Sequence, residues 1–236
     1  MMPVLLALLV GVPQPMCPPA WEPLPGDACL LDGEKRGLAV YFHGMTAPTL
    51  QALGVELSLM ERVPRNRRTP VVVLKGRGGL CDWAPEVRAF WCWPTARSQL
   101  TEVRLVTARL KEVLAAASVR LGRHHPRPVP VLSGYSNGAY FLTMVMGDTE
   151  VPAAGWVLMH GGPVTGVVYR RDRERPTLLL AAAEDNIQRP AMESLKAKLD
   201  DVGWPSTLVV RPGAHPPELE DYQRLFDFAA AVSRRP

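Results

Sequence analysis

The sequence contains no C-x-x-C pair, and its histidines do not gather near its four cysteines, Cys17, Cys29, Cys81 and Cys92. A structural zinc site draws its thiolate and imidazole ligands from such close pairs, so no metal is expected. Gly76, Gly78 and Gly79 lack the spacing of a phosphate-binding loop, so no nucleotide cofactor is expected either. The net charge of +4 comes largely from arginines scattered along the chain, with small clusters at 65–68 and 170–175. No basic stripe interleaved with aromatic residues accompanies them, which argues against nucleic acid as a partner. There is no internal repeat, no low-complexity tract and no linker, because the proline-rich stretches 13–25 and 123–130 are short. What remains is 236 residues, 47% of them apolar, enough to fill one large core.

The apolar run within residues 1–10 is too short to span a bilayer, and no other stretch could cross one. Residues 1–20 read as a signal peptide, although no Lys or Arg precedes the run and no clean A-x-A site follows it. The alternative is an N-terminal strand or helix packed on the domain. An even number of cysteines fits a secreted or periplasmic protein with two disulfides, with a cytoplasmic protein carrying four free thiols as the other reading. Cys81 and Cys92, which bracket an aromatic segment, are the expected pair. A leader cut after Ala20 would remove Cys17 and leave Cys29 single. The catalytic domain would then be residues 21–236.

Short apolar runs at 38–42, 70–74, 129–132, 155–159, 177–183 and 206–210 read as strands. Longer segments at 48–61, 101–121, 137–146, 191–202 and 219–232 read as helices. In the second of these, Val103, Leu105, Val106, Leu110, Val113 and Leu114 recur at helical spacing and predict one buried stripe. The alternation predicts an α/β fold with a mostly parallel sheet and helices on both faces. The stretch 161–175 offers no convincing helix, and no segment is long enough for a large lid domain.

Between the strand at 129–132 and the helix at 137–146 stands Gly134-Tyr135-Ser136-Asn137-Gly138, a G-x-S-x-G sequence in the strand-turn-helix context that gives the motif meaning. A serine hydroxyl is a poor nucleophile unless it is exposed, beside a base and close to donors for a developing oxyanion. A sharp turn exposes it, and glycines on either side tolerate close backbone approach. The plain alternative is a Ser/Gly-rich turn in an ordinary α/β protein.

On this framework the chain resembles the α/β-hydrolase family from about residue 38 to its end. The family's order of nucleophile, acid and histidine, each after a strand, implies Ser136, then Asp185 in Glu184-Asp185-Asn186-Ile187, then His215 in Arg211-Pro212-Gly213-Ala214-His215. Glu184 is the competing acid. Taken singly, the acid reads equally as a helix N-cap and the histidine as an ordinary loop residue. The resemblance also implies an oxyanion hole from the amides of Asn137 and of Met45 in His43-Gly44-Met45, with His43 bracing that loop.

The segment 75–94 should border the same cleft. Trp83, Trp91 and Trp93, with Tyr135 of the motif, are candidate substrate-binding residues, with core packing the alternative for Trp91 and Trp93. Asp82 and Glu86 would favour a cationic substrate instead, and His124 and His125 read as solvent-facing. The expected activity is hydrolysis of a small-molecule or polymeric carboxylic ester through an acyl-enzyme, without cofactor. A peptidase, an acyltransferase or a catalytically silent binding protein on the same fold is the alternative.

Overall fold

A computed structural model describes residues 17–122, 129–148 and 151–233. His124, His125 and most of the expected leader lie outside the described residues. Eight strands form one sheet: β1 (Glu22–Leu24), β2 (Ala28–Leu31), β3 (Ala39–Phe42), β4 (Val71–Leu74), β5 (Val131–Tyr135), β6 (Gly155–Met159), β7 (Thr177–Ala182) and β8 (Ser206–Arg211). Their order is β1-β2-β4-β3-β5-β6-β7-β8. From β4 to β8 every pairing is parallel, whereas β1 and β2 run antiparallel to their neighbours.

All six expected strands form. The two that periodicity did not reveal are β1 and β2, and the reason is local. β1 is a three-residue edge strand with Pro23 at its centre, tolerated only where no ladder hydrogen bond is needed. The turn into β2 places Gly26 and Asp27 at φ 70° and 52°, the left-handed geometry that suits the twist of a hairpin.

Five helices connect the sheet: α1 (Leu50–Arg62), α2 (Leu100–Arg120), α3 (Asn137–Asp148), α4 (Gln188–Asp201) and α5 (Leu219–Val232). Alternate strand residues divide the core into two layers. Val40, Phe42, Val72, Leu132, Leu158 and Leu179 face α2, α3 and α4. Tyr41, Val71, Val131, Val157, Met159 and Leu180 face α1 and α5. On α2 the buried stripe is Val103, Val106, Leu110, Val113 and Ala117, while Leu105, expected inside, is 53% exposed. The β6-to-β7 crossover holds only a single 3-10 turn, Arg171–Arg173, in keeping with the missing helical signal there.

Two disulfides join Cys17 to Cys29 and Cys81 to Cys92, with Cα separations of 5.6 and 5.9 Å. The first ties the segment ahead of β1 to β2. The second closes the loop after β4, and Cys81 and Cys92 are both fully buried. No described helix is long and apolar enough to cross a membrane.

Candidate active site

At the carboxyl end of β5 the chain turns directly into α3, and Ser136 occupies the turn at φ 49°, a strained conformation for a residue with a side chain. The strain is held from both sides. The Ser136 amide donates to the Met159 carbonyl at 2.8 Å, and the Ser136 carbonyl accepts from Ala139 and Tyr140 at 2.9 and 3.1 Å. A Cβ on Gly138 would lie 2.0 Å from the Phe42 carbonyl oxygen, and one on Gly134 would lie 2.5 Å from that of Gly138. Only glycine fits at either place.

The Ser136 hydroxyl lies 3.2 Å from Nε2 of His215, which follows β8, and Nδ1 of His215 lies 2.7 Å from Oδ2 of Asp185, which follows β7. Asp185 has two jobs at once. Its other oxygen accepts from the Ile187 and Gln188 amides at 3.3 and 2.9 Å, so it also caps the start of α4. Burial opposes its charge, but the Gln188 amide and the His215 ring outweigh burial and hold its carboxyl below the ordinary value. Glu184 is exposed and engages the histidine loop only through its amide, which donates to Gly213.

Of the three groups Ser136, His215 and Asp185, the first lines a cavity of about 620 Å³, together with Met45, Trp83, Asn137, Tyr140 and Val164 among others. Among the described residues, no acceptor bonds the backbone N–H of Met45 or of Asn137. Asn137 opens α3, so its amide also carries the positive end of the helix dipole. The Asn137 side chain points elsewhere, accepting from the Trp93 amide at 2.7 Å.

His43 is fully buried. Its Nε2 accepts from the Gly76 amide at 2.8 Å, so Nδ1 carries the proton and donates to the Gly44 carbonyl. Desolvation lowers its pKa to about 4, which keeps the ring neutral in this bracing role.

Of the aromatic residues singled out in the sequence, Trp83 alone lines the cavity, and it is 57% exposed. Trp93 is a correction: it is fully buried, packs on Phe42 and Phe141, and donates from its indole to the His43 carbonyl at 2.9 Å. It supports the loop that carries Met45 from behind. Trp91 pairs with Thr46 and lies beneath the Lys75 ammonium, away from the cavity lining. Tyr135 is also not a lining residue. Its ring packs 5.3 Å from that of His215, and its hydroxyl donates to the His215 carbonyl at 3.3 Å.

Three participants were missed in the sequence. Tyr140 and Gln188 line the cavity and are joined by a 2.7 Å hydrogen bond. His160, fully buried at φ 51° after β6, packs edge-on against His215 and lies 3.4 Å from Asp221. Its position after a parallel strand was the available signal, because every such strand end opens toward the same side. His160, Asp185 and His215 are close enough to suggest a metal cluster. However, Asp185 is already committed to the Gln188 amide and to Nδ1 of His215, and Nε2 of His215 faces the Ser136 hydroxyl.

No protein-family model and no curated protein matches the chain. Solved structures do. A carboxylesterase from Mesorhizobium loti superposes with a TM-score of 0.65 at 22% identity, over 89% of this chain and 99% of that one. The Bacillus cereus carboxylesterase superposes at 0.62 with 18% identity, over 87% and 93%. An acylaminoacyl peptidase from Pyrococcus horikoshii superposes at 0.56 with 13% identity, over 89% of this chain but only 40% of that one. Together with the strand order, the turn at Ser136 and the loops after β7 and β8, these likenesses identify the fold of this chain as that of the α/β-hydrolases.

Proposed function

We propose that the chain is a serine hydrolase that cleaves carboxylic esters through an acyl-enzyme. The observation that carries this reading is the continuous hydrogen-bonded series from Ser136 through His215 to Asp185, opening on a cavity beside two amides that bond no described acceptor. The carboxylesterase names of the two neighbours with the higher overlap point the same way.

With Asp185 accepting from Nδ1, the Nε2 lone pair of His215 faces the Ser136 hydroxyl. His215 takes the hydroxyl proton as Oγ attacks the ester carbon, and Asp185 stabilises the imidazolium. The oxyanion collects the amides of Met45 and Asn137. His215 then protonates the departing alcohol, and a water molecule activated by the same ring hydrolyses the acyl-enzyme. Met45, Trp83, Tyr140 and Val164 offer an apolar wall for a small ester or the end of a polymeric one. No cofactor enters these steps.

The paired cysteines fit an oxidising compartment, so the protein is proposed to act in the periplasm or outside the cell. The Cys17–Cys29 pairing supports cleavage of the proposed leader ahead of Cys17 in preference to cleavage after Ala20. Mass mapping of a fluorophosphonate adduct, followed by a panel of esters and amides of graded acyl length, tests the activity. An adduct on Ser136 with ester turnover is expected. The absence of an adduct would favour a silent binding protein, and preference for amides would favour a peptidase.

A further inference from the structure

Glu56 is a carboxyl group on α1 that the ester mechanism leaves without a role, yet it is only 7% exposed. Its two oxygens both face the Gly44 amide at 3.3 Å, and one accepts from the Tyr41 hydroxyl at 2.6 Å. Tyr41 is linked in turn to Tyr222 of α5 at 2.9 Å. Gly44 is the residue ahead of Met45, and there is no room beside it. A Cβ there would lie 2.7 Å from the Tyr135 ring and 3.3 Å from Glu56 itself.

The geometry of two successive peptides follows. Glu56 takes the N–H of the first, between His43 and Gly44. His43 takes the C=O of the second, between Gly44 and Met45. In a planar trans peptide the C=O and N–H point in opposite directions, so fixing the Gly44 carbonyl aims the Met45 N–H away from His43.

We propose that Glu56 is a positioning residue for the oxyanion loop, its carboxylate holding the Gly44 amide so that the Met45 N–H stays aimed at the charge that develops on the substrate. This rests on the reading of the chain as a serine hydrolase. The choice of a carboxylate has a physical signature. Burial, against the opposing hydrogen bonds from Tyr41 and Gly44, raises the Glu56 pKa to about 7. The ionisable groups facing it are Tyr41 from β3, Tyr222 from α5 and Tyr135 from β5, each with its pKa raised and so neutral across the working range. Protonating Glu56 adds a donor facing the Tyr41 hydroxyl, which donates to the carboxylate, so the hydroxyl relay turns around and the hold on Gly44 weakens.

The test uses the full chain and one activated ester. Wild-type kcat/KM is expected to fall on the acid side with two ionisations, one from the histidine base and one from Glu56. Glu56→Gln keeps an acceptor without a titrating proton, so its profile should retain one ionisation and its kcat should stay within about tenfold. Glu56→Leu removes the acceptor and should lower kcat by roughly 10²-fold with KM within about threefold, the pattern of a lost oxyanion donor. Folding is followed by circular dichroism, and if Glu56→Leu does not fold, the Glu56→Gln profile decides alone. Two ionisations persisting in Glu56→Gln, or a folded Glu56→Leu with kcat within threefold of wild type, would overturn the proposal. A wild-type protein that turns over no ester would instead overturn the reading on which it rests.

Discussion

Ser136 and His215 are hydrogen-bonded to each other but are held by opposite means. Ser136 is placed by short-range sterics: a strand running directly into a helix, a left-handed backbone, and glycines on both sides where nothing else fits. His215 lies in the irregular loop between β8 and α5, and one buried guanidinium shapes that loop. Arg211 donates to the carbonyls of Pro212, Ala214 and Pro216 at 2.9, 3.2 and 2.6 Å. It is anchored by Asp221 of α5 through Nε at 3.0 and 3.1 Å and by Glu218 at 2.9 Å. Ser136, the proposed nucleophile, therefore depends on backbone shape, and His215, the proposed base, depends on a buried charge pair.

The largest effect should come from Ser136→Ala, which removes chemistry without touching the turn. We expect kcat to fall by about 10⁴-fold or more, with the urea midpoint unchanged. Residual activity above a tenth of wild type would remove Ser136 from its role.

Asp185→Asn should lower kcat by roughly 10³ to 10⁴, because an amide favours the wrong tautomer of His215. Since Asn can still cap α4, thermal unfolding should shift little. The companion Glu184→Gln should cost less than about tenfold. The reverse ranking of the two, measured on one ester, would give the acid's role to Glu184.

Arg211→Met sharpens the contrast in the other direction, because it should damage stability before chemistry. It leaves the Asp221 carboxylate buried and without its cation, which typically costs about 3 to 5 kcal/mol in chemical denaturation. Burial pushes the Asp221 carboxyl up, but the His160 and Glu218 hydrogen bonds and the Arg211 charge outweigh it and hold the group below its ordinary value. A depressed carboxylate stabilises the fold above its unfolded-state pKa and loses that contribution as the pH drops through the folded value. Wild-type stability should thus decline on acidification below about pH 4, and Arg211→Met should show less of that decline. Unchanged stability in Arg211→Met would mean that the loop is held by something else.

The smallest of these effects concerns the rim. Changing Cys81 and Cys92 together to serine reopens the loop that carries Trp83, and a closure of this size contributes roughly 2 to 3 kcal/mol. Stability should fall by that order while ester turnover changes by less than about tenfold. Peptide mapping without reductant checks the bridge itself.

The six parallel-sheet runs, the five helices and the turn at Ser136 were legible because each is specified by neighbours within a few residues: an apolar run, a helical period, a glycine where backbones touch. Asp185 and His215 were reached only through the resemblance, which implies an acid and a histidine in that order after successive strands, and the fold brings them to Ser136. Where several distant segments had to meet, the sequence was silent or misleading. Trp93 looks the same in sequence whether it walls a cleft or fills a core, and only the approach of Phe42, Phe141 and His43 decides for the core. His160 is marked only by its place directly after a strand, and Arg211 carries no local pattern.

What the sequence by itself determined is the alternation that makes a parallel sheet and the steric exception at residues 134–138, since both depend on interactions across a few bonds. What only the tertiary structure decided is which polar side chains share the buried space behind the site. Glu56, His43, His160, Arg211 and Asp221 come from different elements, and a buried charge is tolerated only where the fold brings it a partner.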